Sequence, residues 1–115
     1  MIAQLSPADF AAWRDNAGAL PVVLDVREPW ELQTASVKED GFKLVHIPMR
    51  EIPARIAELQ EASAGQPIVC LCHHGMRSLQ VANYLIQSGE FADVVNLQGG
   101  IDAWSQQVDR TVPLY

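Results

Sequence analysis

A chain of 115 residues, 49% apolar and 19% charged, has the makeup of one soluble globular domain over residues 1–115. Its net charge of −6 opposes binding to nucleic acid or to an anionic membrane surface, and no apolar run is long enough to span a bilayer. A small anionic substrate would have to be drawn in by a local positive site.

The first residues, Met1–Ile2–Ala3–Gln4–Leu5, lack the basic start and apolar core of an export signal. Ser6–Pro7–Ala8–Asp9 opens a helix, with Ser as N-cap, Pro at the first helical position and an acid in the first turn. Phe10 and Trp13 share a face of that helix, which ends at Ala17–Gly18. Pro21 to Val26 is an apolar run of strand length, the pattern of a parallel strand buried on both faces. Glu28–Pro29–Trp30–Glu31–Leu32 starts a short helix, and Ala35 to Gly41 is polar and carries no pattern.

Leu44–Val45–His46–Ile47 is a weaker strand, stopped by Pro48. Ile52, Ile56 and Leu59 recur at helical spacing and mark a helix from about Pro53 to Ala62. Gly65–Gln66–Pro67 turns the chain into a second strong buried strand, Ile68–Val69–Cys70–Leu71. Beyond a loop of His and Gly, Leu79, Ala82, Leu85 and Ile86 form the apolar face of a helix ending at Ser88–Gly89. Val94 to Leu97 is the last strand, Gly99–Gly100 a tight turn, and Ile101, Trp104 and Val108 one face of a final helix. Strands alternating with helices imply an α/β fold with a mostly parallel sheet covered on both faces, and ligands in such folds sit beyond the carboxyl ends of the strands.

The segment after Leu71 lies there. Cys72–His73–His74–Gly75–Met76–Arg77–Ser78 joins a buried strand to a helix. Loop N–H groups can converge on the cysteine sulfur, the following helix presents its positive end, and Arg77 adds a fixed charge to which His73 and His74 can contribute. All of these favour the thiolate over the thiol. Gly75 supplies a backbone conformation that lets the loop curl around the sulfur. Cys70, one residue before Leu71, reads as core. Cys70 and Cys72 are too close for an ordinary structural disulfide, and two cysteines are no scaffold, so a reducing cytoplasm fits. Cys70, Cys72, His73 and His74 are four soft donors, but so tight a run cannot readily surround one metal ion, and no metal is expected.

The segment from Cys72 to Ser78 resembles the active-site loop of the rhodanese family, whose six residues, here Cys72 to Arg77, are led by cysteine and close on arginine. Leu24–Asp25–Val26–Arg27–Glu28 resembles that family's strand ending in Asp-x-Arg-Glu, and Leu97–Gln98–Gly99–Gly100–Ile101–Asp102–Ala103–Trp104 its segment near the carboxyl terminus. The three matches keep the family's order across about Leu5 to Trp104. One segment departs: only Val45–His46–Ile47–Pro48–Met49 stands where many members carry two Ile-Pro segments.

The resemblance implies a single rhodanese-like domain with about five strands and a sulfurtransferase without cofactor. Cys72 would take sulfur from thiosulfate or a persulfide, hold it as a persulfide and yield it to a thiophilic acceptor. It further implies substrate-binding roles for His73, His74, Gly75, Met76, Arg77 and Ser78, with Arg77 meeting the donor's leaving oxyanion. Asp25 and Arg27 would pair beneath the site to hold its loops. Taken by themselves, His73 and His74 read first as solvent-facing loop residues, with substrate selection as the sharper option. The tail from Val108 to Tyr115 resembles the ending of rhodanese domains attached to carrier-activating enzymes, which raises a second reading, delivery to a protein acceptor such as a sulfur-carrier protein. A non-catalytic binding module is disfavoured because nucleophile and arginine are both present. A phosphatase is disfavoured because the related phosphatase loop is one residue longer.

Overall fold

The structure is a computed structural model that describes residues 2–17, 20–91 and 93–115. Five strands form one sheet: β1 (Ala3–Leu5), β2 (Val22–Asp25), β3 (Lys43–His46), β4 (Ile68–Leu71) and β5 (Val94–Leu97). Their order is β1-β5-β4-β2-β3 and every neighbouring pair is parallel. Among the described residues five α-helices accompany them: α1 (Phe10–Ala17), α2 (Pro29–Thr34), α3 (Ile56–Ser63), α4 (Met76–Gln87) and α5 (Gly100–Gln107).

β2 and β4 are buried at every position, as continuous apolar runs require of central strands. Because successive side chains alternate, each strand feeds two separate cores. Val22, Leu24, Ile68 and Cys70 face one side, where α3 supplies Leu59 and α4 supplies Val81, Ala82 and Leu85. Val23, Val69, Leu71 and Val95 face the other, against Phe10 of α1 and Ile101 and Trp104 of α5. There Phe10 meets Phe42 and Trp104 edge to face, with ring centroids 5.7 and 5.5 Å apart. Pairs in this geometry add roughly 0.5–1.5 kcal/mol beyond their buried area.

The structure departs from the sequence expectation in several places. β1 was not expected: it is three residues long, two of them exposed, and its pairing with β5 creates it. The N-cap at Ser6 holds, its side chain accepting the Asp9 N–H at 3.3 Å, but the first turn is a 3-10 turn that passes into α1. The expected helix end at Gly18 lies outside the described residues. The helix expected from Pro53 is a 3-10 segment, Met49–Arg55, followed by α3. Pro53 has no N–H to give to an α-helical ladder running through it.

The featureless stretch after α2 buries Ala35 and Val37 in the second core. The buried stripe of α4 is Ser78, Val81, Ala82 and Leu85, and Ile86 is exposed. Val108 lies beyond α5, also exposed.

The parallel arrangement brings the carboxyl ends of β2, β3, β4 and β5 to one edge. Asp25 is in register with His46 and Leu71, and Cys70 with Asn96, so Cys72 emerges at the centre of that edge.

Candidate active site

Cys72 follows β4 directly and Met76 opens α4, so the loop between them makes its turn in three residues. Gly75 makes this turn feasible. Its φ is +101°, and a Cβ there would come within 3.2 Å of the Gly99 nitrogen. Held so, the Gly75 N–H donates to Cys72 Sγ at 3.0 Å. The Ser78 hydroxyl, one turn into α4, stands 3.3 Å from the same sulfur and 2.5 Å from Asn96 Oδ1. A hydroxyl has a single proton, so Ser78 serves either the sulfur or Asn96 at one time. With Cys72 as a thiol it can donate to Asn96 and accept from S–H; once the sulfur is charged, it can turn to the sulfur.

The loop backbone is anchored from the opposite side. The N–H groups of Ile101 and Asp102 in α5 donate to the carbonyls of Cys72 (2.9 Å) and His73 (3.1 Å). Across a trans peptide C=O and N–H point opposite ways, so those bonds turn the N–H groups of His73 and His74 away from α5. Among the described residues, the N–H groups of His73, His74, Met76, Arg77 and Ser78 have no acceptor. Together with the amino-terminal end of α4, this set of free donors is built to receive negative charge. Asn96 is buried in β5 and ties the arrangement together, its Nδ2 donating to Gly75 O at 3.1 Å and to Gln4 Oε1 at 2.9 Å.

The charges around this loop are paired. Asp25 and Arg27 are both fully buried and form an ion pair at 2.7 Å. His46 Nε2 lies 2.7 Å from the Arg27 carbonyl. Arg77 is bound by Glu31 at both ends of its guanidinium, at 2.7 and 2.9 Å. Glu31 is also held by the Glu28 N–H at 3.1 Å and the Tyr115 hydroxyl at 2.7 Å, so its carboxylate accepts from four donors. Arg77 and the other donors hold the Glu31 carboxyl well below its ordinary range, to about 2. That pairing stabilises the fold above the ordinary carboxyl pKa and is lost only as pH falls toward about 2. Tyr115 completes the chain, accepting from Arg27 Nη1 at 2.9 Å while its ring stacks on His73 at 3.8 Å. The fixed positive charge expected of Arg77 is thus neutralised where it stands.

His73 lies between His74 and Tyr115, ring against ring at 3.8 Å on both sides. Burial, with His74 alongside, pushes its pKa down, so His73 favours the neutral form. His74 and Met76 are exposed. Among the described residues one group could hold a metal ion, His73, His74 and Asp102. Cys70 points into the first core. Of the loop residues read from the sequence, Gly75 and Ser78 meet Cys72 Sγ, Arg77 pairs with Glu31, and His74 and Met76 are exposed; Glu31, Asn96 and Tyr115 were not singled out. Asn96 had a signal, an amide inside the apolar run Val94 to Leu97. Glu31 and Tyr115, 84 residues apart, had none.

The sequence matches the family described as Rhodanese-like domain over residues 6–107. It is 35% identical over 96 residues to thiosulfate sulfurtransferase GlpE of Pseudoalteromonas translucida, covering 77% of this chain and 81% of that protein. It is 34% identical over 94 residues to adenylyltransferase and sulfurtransferase MOCS3-2 of Zea mays, covering 82% of this chain but only 19% of that protein's length. The fold matches the crystal structure of a rhodanese-related protein from Thermoplasma volcanium with a TM-score of 0.73 and 29% identity, over 98% of this chain and 99% of that one.

Proposed function

This chain belongs to the rhodanese-like domain family, and from that premise we propose that it is a sulfurtransferase whose Cys72 carries sulfur as a persulfide. The observation that supports this most is the cradle: a sulfur met by the Gly75 N–H and the Ser78 hydroxyl, inside a loop whose remaining N–H groups are free. In the first step the Cys72 thiolate bonds to the outer sulfur of the donor. For thiosulfate the donor's S–S bond breaks and its electron pair leaves with sulfite, so no oxidant or reductant is needed. The persulfide anion extends the charge by one sulfur into the loop, where the free N–H groups can receive it. An acceptor nucleophile then takes the outer sulfur and regenerates the thiolate, one difficult transfer divided into two easier ones.

The substrate in this reading is a small sulfur-containing anion or a persulfide. The roles of His73, His74, Gly75, Met76, Arg77 and Ser78 in this reading are to shape the loop that receives it and to bind it there. A protein acceptor is the second reading, favoured by the tail to Tyr115 and by the likeness to the maize protein, whose name joins sulfur transfer to adenylyl transfer. A working thiolate suits a reducing compartment such as the cytoplasm. Among the described residues no helix is long and apolar enough to cross a membrane.

The test is intact mass before and after thiosulfate, followed by peptide mapping. We expect one added sulfur atom, on Cys72, that is lost on adding a thiol acceptor. Sulfur on Cys70, or no addition from thiosulfate or any persulfide, would overturn the proposal.

A further inference from the structure

The chain has a net charge of −6, and a thiosulfate-using site must overcome it locally. The side chain placed to help is Arg77, but its guanidinium is occupied. Glu31 binds it fork to fork, the strongest geometry for a carboxylate, with about a third of the Arg77 side chain exposed and Glu31 mostly buried. Glu31 cannot easily swing away, since the Glu28 N–H and the Tyr115 hydroxyl hold it from the other directions and Tyr115 is held by the buried Arg27. An oxyanion approaching Arg77 therefore meets a cation already neutralised, with a carboxylate beside it. The free loop N–H groups remain to receive the single charge of a persulfide.

Resting on the sulfurtransferase reading above, we propose that Glu31 is a specificity-determining residue: by occupying Arg77 it biases the site against dianionic donors such as thiosulfate and toward persulfide donors of lower charge. Glu31 acts through Arg77 and touches no reacting atom. Its occupation of Arg77, rather than its contribution to folding, carries the effect.

The experiment compares thiosulfate, a dianion, with methanethiosulfonate, a monoanion whose outer sulfur transfers by the same S–S cleavage. Sulfur on Cys72 is followed by intact mass and steady-state rates. Glu31→Gln keeps the shape and one acceptor for Arg77 while removing the charge. It should lower KM for thiosulfate on the order of tenfold, as expected for removing one like charge beside a dianion, with kcat little changed. The gain for the monoanion should be clearly smaller, and added salt should shrink the difference. Tyr115→Phe removes one of the donors that fix Glu31 and should shift the donor ratio the same way by a lesser amount, which keeps the test open if Glu31→Gln folds poorly.

A donor ratio unchanged in both variants, or equal losses with both donors, would overturn the proposal while leaving the persulfide on Cys72 intact. Absence of sulfur on wild-type Cys72 with every donor would instead overturn the sulfurtransferase reading.

Discussion

Cys70 and Cys72 stand one residue apart, both free and both essentially without exposure, at 0% and 1%. Both border the first core, and what else surrounds them differs. Cys70 lies inside β4 among Leu24, Ile68, Ala82 and Leu85, with no hydrogen bond to its sulfur among the described residues. Burial, followed by the neighbouring Cys72, pushes its thiol well up, so it stays a neutral apolar filler. Cys72 has left the ladder and meets an amide, a hydroxyl and the start of a helix. Burial alone therefore says nothing about chemistry at a cysteine. The direction of the nearby donors decides it, and an advance of two residues along the chain, to one residue past the strand end, is enough to change them.

The hardest test of this contrast is Cys72→Ser. Side-chain size hardly changes, so the fold should survive, while sulfur transfer should fall by at least on the order of a thousandfold, as when other covalent nucleophiles are removed. Circular dichroism and persulfide mass measured on the same sample will separate the two effects. If transfer persists, the sulfur is carried elsewhere and the contrast dissolves.

Next in size is Gly75→Ala. An L-residue at φ +101° is strained, at a cost of about 1–3 kcal/mol, and its Cβ would crowd the Gly99 nitrogen. Relief would rotate the amide away from Cys72 Sγ, and transfer should drop about tenfold or more even where the protein remains folded. Unchanged rates in a stable variant would mean that the amide is not part of what makes Cys72 different.

The smallest effect on transfer is expected for Cys70→Ser, which should retain activity within about twofold. Its hydroxyl would have no partner in the first core, at a cost of roughly 1–3 kcal/mol to stability. In a domain of this length that lowers the melting temperature by several degrees. A loss of transfer comparable with that of Cys72→Ser would show that the two cysteines work as a pair.

The central strands were legible because burial on both faces leaves unbroken apolar runs, and the loop was legible because cysteine, glycine and arginine crowd into seven residues. The pairing of Asp25 with Arg27, read alongside the family resemblance, is present as a buried ion pair at 2.7 Å. What escaped was the part assembled over long distance. Glu31 reads as an ordinary first-turn acid until α2 is set beside α4, and Tyr115 as a tail residue until it folds back onto His73. β1 has no hydrophobic pattern of its own and exists because β5 offers an edge. Ser78 was expected on the loop yet belongs to the buried stripe of α4, since its hydroxyl has polar partners inside.

The bonds from α5 to the Cys72 and His73 carbonyls have a further consequence. Gly100 sits so close to those carbonyls that any side chain would collide with them, and the two segments behave as one mechanical unit. The loop cannot open without breaking the first turn of α5. Solvent exchange at the Ile101 and Asp102 amides therefore reports on the integrity of a loop to which neither residue belongs.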